Sequence, residues 1–282
     1  MSIALIGIAV FKSSKKTKVS AILYPYNLVS KVESSDTIDI KLLINNKKSY
    51  FLDKDKITNA YLSGIEGKLK LVPSSISLSD VTMKIKGDDY YLVHYNFKID
   101  ASIESNYELY LSKAYLYMNF GGTLSTNIYI GSFSYYKYEE SIDKIGITNL
   151  KAITEKEGKS GFFGCLIGLR NITNADININ NIKILDENIK NIKYQVIDEI
   201  KDSTKYEDYN ITSYSDNITL NKNSLTYIAL EFDSSNTLMM PVEEAGLAIN
   251  TSVGTYIIEN FVFYKQNILN IKDYEFTIYE YD

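Results

Sequence analysis

Two side chains in the sequence are of the kinds that most often act as nucleophile or general base, namely His94 and Cys165. A Ser-His-Asp triad would have to use His94, which lies among tyrosines in a predicted strand, residues 91–99. Cys165 lies in the apolar run 162–167 and has no second cysteine for a disulfide, so we expect a buried thiol. We therefore expect no enzyme and no catalytic residue.

Several carboxylates occur as close pairs, and paired carboxylates can hydrolyse glycosidic bonds when they face each other across a cleft. Most such pairs are solvated turn residues, so we expect no catalysis from them. Asp53 and Asp55 have a spacing that calcium loops use, but Lys54 separates them and the Gly-Glu continuation of an EF-hand is missing. We expect no metal and no cofactor. The pairs are Asp53 with Asp55, Asp88-Asp89, Glu139-Glu140, Asp186-Glu187 and Glu243-Glu244.

Tyrosine is abundant, with 25 copies, and many lie in the first half of the chain. Tyrosines on an exposed sheet face can bind sugars or a protein, because each offers a flat apolar ring and a hydroxyl. The alternative is that they stabilise the sheet through cross-strand contacts. The candidate binding residues are Tyr90, Tyr107, Tyr110, Tyr115, Tyr135 and Tyr136.

The overall composition is that of a folded, acidic protein. Hydrophobic residues make up 45% of the chain and charged residues 23%, which argues against disorder. The formal net charge of −5 gives no electrostatic reason to expect binding to nucleic acid. Four Asn-x-Ser/Thr triplets begin at Asn171, Asn210, Asn217 and Asn250, although a chain this rich in asparagine produces such triplets by chance.

Alternation of polar and apolar residues predicts β-strands along the whole chain. The runs are four to ten residues long and mostly end at Gly, Asn, Asp or Ser. One run ends at Pro73, and we expect Gly121-Gly122 to form a hairpin turn. The charged stretch 139–160 predicts a junction between domains. We expect an apolar segment and basic linker at 1–18, a first β-sandwich at 19–145 and a second at 146–282.

One short pattern occurs three times, with apolar residues at its first, fourth and sixth positions. It covers residues 57–62, 111–116 and 179–184. A change from a step of three to a step of two indicates a strand with a kink or bulge that changes which side chains face inward.

Residues 164–177 resemble the opening of immunoglobulin-like domains on bacterial surface proteins and lipoproteins, in which a strand runs into turn residues and then into alternating Ile and Val. Residues 35–62 are similar to the first sandwich of arrestin-like proteins, without the glycines usual there. The first resemblance implies two tandem immunoglobulin-like antiparallel β-sandwich domains, and a role in surface adhesion or scaffolding.

The apolar run 2–11, followed by the Lys-rich residues 12–18, suggests a location. Ten helical residues rise about 15 Å, too little to span a bilayer. The run fits the distal part of an export signal or anchor, a buried first strand, or a peripheral anchor.

We expect a non-enzymatic binding or scaffolding protein of the cell envelope, membrane-anchored through 2–11, with a protein or carbohydrate partner. The alternatives are a structural subunit of a virus or surface assembly and a cytosolic arrestin-like adaptor.

Overall fold

The protein is all-β, as predicted. The computed structural model describes residues 16–32, 34–100, 107–122, 124–186, 192–209, 211, 217–232, 245–261 and 276–281. The apolar run 2–11, on which the three alternatives for the start of the chain depend, lies outside these residues.

The strands of the described residues are β1 (Thr17–Ala21), β2 (Tyr24–Lys31), β3 (Thr37–Ile44), β4 (Ile57–Ser63), β5 (Lys68–Ile85), β6 (Asp88–Ile99), β7 (Tyr107–Phe120), β8 (Leu124–Tyr138), β9 (Ile145–Lys156), β10 (Lys159–Asn171), β11 (Ile177–Leu185), β12 (Lys193–Ile197), β13 (Ile218–Leu220), β14 (Leu225–Glu231), β15 (Ala245–Thr251), β16 (Gly254–Phe261) and β17 (Tyr279–Tyr281). Short 3-10 helices lie at Tyr50–Leu52, Lys54–Lys56 and Tyr206–Asp208.

The eight strands of the first half of the chain, β1 to β8, form one curled sheet of nine strands together with β17, in the order β17-β1-β3-β6-β5-β4-β7-β8-β2. All its pairs are antiparallel except β2 with β8. The curl brings β17, at one edge, close to β8, next to the other edge: the Tyr129 amide donates to the Tyr279 hydroxyl at 3.1 Å. We predicted a two-sheet sandwich here. Instead, hydrogen-bonded pairing continues without a break from β17 to β2, so these strands form a single sheet.

The inner face of this sheet holds the first hydrophobic core. Alternate residues of each strand point into it, as Leu116 and Met118 of β7 do, which is the period-two pattern of the sequence. The core also takes Phe51 from the first 3-10 helix, whose carbonyl accepts a hydrogen bond from the buried Tyr95 hydroxyl at 2.6 Å. This hydrogen bond satisfies a polar group inside the core.

The second half forms two four-stranded sheets, β12-β14-β10-β9 and β13-β11-β15-β16. Their facing sides share one core, to which the first sheet gives Ile167 and Leu230 and the second gives Ile182 and Leu247. Two antiparallel sheets packed over a common core are a sandwich-like arrangement.

The three predicted kinks are confirmed as bulges. The pairing register shifts between Ile57 and Asn59 in β4, between Leu111 and Ala114 in β7, and between Ile179 and Asn181 in β11. The apolar residues of each pattern are buried on both sides of the shift. None of the three strands moves to another sheet, so each bulge changes the inward face within a sheet.

Three features differ from the sequence-based expectation. β5 continues through Pro73, because this proline sits at a bulge, where its missing N–H is not needed. Residues 145–156, which we assigned to the junction, form β9. β17 pairs with β1 in the curled sheet rather than with the strands that precede it.

Candidate functional site

His94 and Cys165, the two side chains with the most catalytic potential, lie on strands of different sheets. His94, on β6, accepts or donates through Nδ1 to Asp39 Oδ2 of β3 at 2.7 Å. Ser77 lies opposite it on β5, but no hydrogen bond joins the two among the described residues. Cys165 is buried in the second core, and burial raises the pKa of its thiol. The imidazole therefore acts as a cross-strand partner, and the thiol as a packed apolar group.

The six tyrosines predicted as binding residues do not form one surface. Tyr90 and Tyr135 are buried in the first core, so their rings have no exposed face. Tyr110 and Tyr115 are half-buried on β7. The remaining two, Tyr107 and Tyr136, line one cleft.

A ladder of aromatic rings crosses the outer face of the curled sheet. Tyr61 of β4 stacks on Tyr117 of β7 with ring centroids 4.4 Å apart and an interplanar angle of 18°. The Lys68 ammonium lies 3.4 Å from the centroid of the Tyr61 ring, and Tyr115 packs on Tyr129 at 5.4 Å. Tyr117 and Lys68 both pack on the Tyr61 ring, so Tyr61 has little free face for a ligand. The contacts match the cross-strand stabilising role considered for the tyrosines.

A cleft of about 880 Å³ lies between the curled sheet and the sheet that contains β11, β15 and β16. This volume lies within the usual range of ligand sites. Its polar and aromatic lining includes Tyr107, Glu108, Tyr136, Tyr138, Glu139, Glu140, Lys183, Asn250 and Thr255. The sequence indicates the carboxylate pair Glu139-Glu140 but carries no signal for Glu108 or Lys183, because only the pairing of strands brings these two residues into the cleft.

The base of the cleft is held by packing between the two sheets. Val29, Tyr136, Leu185 and Ala248 form a small buried apolar cluster there. The side-chain amide of Asn27 donates to the carbonyl of Leu185 at 2.8 Å. The two walls therefore meet through both apolar contacts and a hydrogen bond.

The segment that connects the two halves is also fixed. The Ile142 amide donates to the Thr255 carbonyl at 2.9 Å, and the Ile257 amide donates to the Ser141 hydroxyl at 2.9 Å. Both bonds hold residues 141–142 against β16. The walls of the cleft are therefore positioned by these hydrogen bonds as well as by packing.

Lys183 is one of two lysines in the lining of the cleft. Lys183 Nζ lies 3.9 Å from Glu108 Oε1 and 5.6 Å from the centroid of the Tyr136 ring. The Tyr138 hydroxyl donates to Glu259; burial, followed by this bond, raises the pKa of Tyr138, so it stays a neutral donor at pH 7. The three lining glutamates are exposed at the cleft mouth. The site offers flat rings, carboxylate acceptors, an amide and a hydroxyl.

No group of three or more His, Cys, Asp or Glu side chains suited to a metal ion occurs in the described parts of the chain. Within the same residues, no helix has the length and apolar character needed to cross a membrane. Neither a protein-family model nor a curated protein matches the sequence.

Proposed function

We propose that this protein is a non-enzymatic binding or scaffolding protein of the cell envelope, and that it binds a surface carbohydrate or protein in the cleft between its two halves. The observation that carries the proposal is the joint lining of this cleft by the half-buried rings of Tyr107 and Tyr138 and by exposed carboxylates. Aromatic rings give flat apolar contact area, and carboxylates accept hydrogen bonds from hydroxyl or ammonium groups. We also propose that the two halves of the chain are related to tandem immunoglobulin-like domains.

The arrangement of polar groups favours binding over catalysis. General-acid carboxylates usually lie in apolar surroundings, whereas Glu108, Glu139 and Glu140 are exposed. His94 and Cys165 both lie outside the cleft lining. The cleft thus holds groups that recognise a ligand, without the imidazole or thiol of the chain.

The envelope location depends on residues 2–11, the apolar run that we interpret as part of an export signal or anchor. β1 begins at Thr17, so the predicted tether of residues 12–18 overlaps the curled sheet at Thr17 and Lys18. An anchor at 2–11 would therefore hold the first sheet close to the membrane.

The proposal is tested by binding of the full chain to immobilised surface polysaccharides and envelope proteins. Glu140→Lys reverses a charge at the cleft mouth, and Asp80→Lys makes the matched change on an exposed residue of β5. We expect wild type and Asp80→Lys to bind equally and Glu140→Lys to bind at least tenfold more weakly. Equal binding by both variants, or hydrolysis of a bound polysaccharide, would contradict the proposal.

A second candidate, a structural subunit of a surface assembly, is favoured by exposed apolar residues in the two halves. Ile65, in the turn between β4 and β5, is 97% exposed, and Ile172, after β10, is 56% exposed. Exposed apolar side chains contribute to contacts between subunits where they form part of a contiguous apolar patch. Size-exclusion chromatography of wild type and of Ile65→Ser with Ile172→Ser tests it: an assembly that the double variant abolishes supports this candidate, and a monomeric wild type removes it.

A further inference from the structure

The curled sheet is completed by a segment that follows the whole second half in sequence. β17 pairs antiparallel with β1 in the register Thr17 with Tyr281, Lys18 with Glu280 and Val19 with Tyr279. β17 is thus the edge strand next to β1, although it follows β16 of another sheet. The edge of the first sheet is closed by a distant part of the chain.

Residues 276–281 fill an apolar groove at this edge as well as extending the sheet. Phe276, Ile278, Tyr279 and Tyr281 all pack against the first core. The Tyr281 ring lies 5.1 Å from the ring of Phe51, centroid to centroid. Without this segment the groove would expose part of that core beside β1, which would then be paired only with β3.

Three polar contacts set the register of the segment in the groove. The Ser20 hydroxyl donates to the Thr277 carbonyl at 2.9 Å, and the Tyr129 amide donates to the Tyr279 hydroxyl at 3.1 Å. Lys18 Nζ lies 3.9 Å from Glu280 Oε1. These contacts, together with the backbone pairing, hold residues 276–281 in this register.

Through these contacts residues 276–281 are held against the curled sheet and its core. Fourteen residues, 262–275, separate this segment from Phe261 at the end of β16. A chain of fourteen residues can span up to roughly 50 Å when extended. The same segment of a second copy could make every one of these contacts, since a groove binds identical side chains equally well whichever chain supplies them.

We propose that the groove beside β1 is an interaction surface for a second copy of this chain, which inserts its own residues 276–281 in the register seen here. The two copies then exchange these segments reciprocally. Exchange of an identical element is a route to dimers that needs no new interface. The proposal does not depend on what the cleft binds.

The experiment uses co-expression of two full-length chains with different affinity tags, one carrying Lys18→Cys and the other Glu280→Cys. Position 18 faces position 280 in the register, and both side chains are partly exposed, so neither substitution removes core packing. The native Cys165 is buried and does not compete. The double variant Lys18→Cys/Glu280→Cys in one chain checks that a disulfide forms at this pair.

A matched control uses Thr37→Cys in one chain and Lys98→Cys in the other. These exposed residues also face each other, on β3 and β6, but strand exchange at β17 leaves them in the same chain. We expect a disulfide-linked heterodimer on non-reducing gels for the 18/280 pair and none for the 37/98 pair. Absence of the 18/280 heterodimer would overturn the proposal, and so would equal amounts of heterodimer from both pairs, which would indicate random contact.

Discussion

Lys137 and Asp36 form a buried ion pair beneath the cleft, with Nζ 3.0 Å from Oδ2 and side-chain exposures of 0% and 4%. The same carboxylate oxygen accepts a hydrogen bond from the Tyr135 hydroxyl at 2.6 Å, and Lys137 also donates to the Ser34 carbonyl at 3.2 Å. Burial, with the bond to Asp36, raises the pKa of Tyr135, which keeps its proton for this contact. The network ties β8 to the chain that enters β3.

Lys137→Met should lower the free energy of unfolding by about 3–5 kcal/mol, because it leaves the Asp36 carboxylate buried without its cation. Tyr135→Phe keeps the ion pair and should cost about 1 kcal/mol, the usual value of one hydrogen bond. Urea denaturation of both variants measures these costs. A Lys137→Met variant as stable as Tyr135→Phe would show that the pair contributes little.

Gly246→Ala should destabilise the contact between the two halves. A Cβ atom at position 246 would lie 2.7 Å from Val29 Cγ2, closer than packed atoms approach. Overpacking of this kind costs about 1–3 kcal/mol. Gly146→Ala is the matched control, since a Cβ there meets nothing within 4 Å. Thermal unfolding should show a lower Tm for Gly246→Ala alone, and Val29→Ala should restore it in the double variant.

Tyr281 should make the docking of β17 sensitive to alkaline pH. Burial raises the pKa of Tyr281 to about 12, from an unfolded value near 10. The folded state therefore holds this proton more tightly, and the resulting stability is full below about pH 10 and is lost as the pH rises towards 12. Between about pH 10 and 12, urea midpoints should fall more steeply for wild type than for Tyr281→Phe. Parallel curves would contradict the assignment.

The stacked pair Tyr61 and Tyr117 should show an energetic coupling. Aromatic pairs contribute about 0.5–1.5 kcal/mol beyond the area that they bury, and the two rings stack face to face. A double-mutant cycle with Tyr61→Ala and Tyr117→Ala measures this term. The cycle of Tyr61→Ala with Tyr129→Ala is the control, because β7 separates their strands. Coupling of equal size in both cycles would mean that stacking is not its source.

The local features of the fold could be predicted because neighbouring residues determine them. The apolar spacing in residues 57–62, 111–116 and 179–184 predicted three bulges, each of which the pairing registers confirm. Gly121 and Gly122 have positive φ values of 63° and 84° and form the turn between β7 and β8, as expected. Alternation likewise predicted the all-β class.

The long-range features could not be predicted from the same patterns. Alternation shows that residues 279–281 form a strand, but it does not show that β1 is the partner. The parallel pairing of β2 with β8 leaves no local trace in either strand. The cleft depends on such pairings, since Glu108 and Lys183 belong to strands of different sheets. Tyr107 and Tyr136 are candidates by residue type alone, and only the topology of the sheets brings both into one cleft.

The pairing of β17 with β1 also has a consequence during synthesis. Tyr279 follows its partner Val19 by 260 positions, and ribosomes add roughly 5–20 residues per second. The flank of β1 therefore stays open for on the order of 10–50 s after β1 emerges. Nascent chains on one messenger RNA are close together during this interval. The rate of translation therefore sets how long the open flank of β1 must be kept from pairing with neighbouring chains.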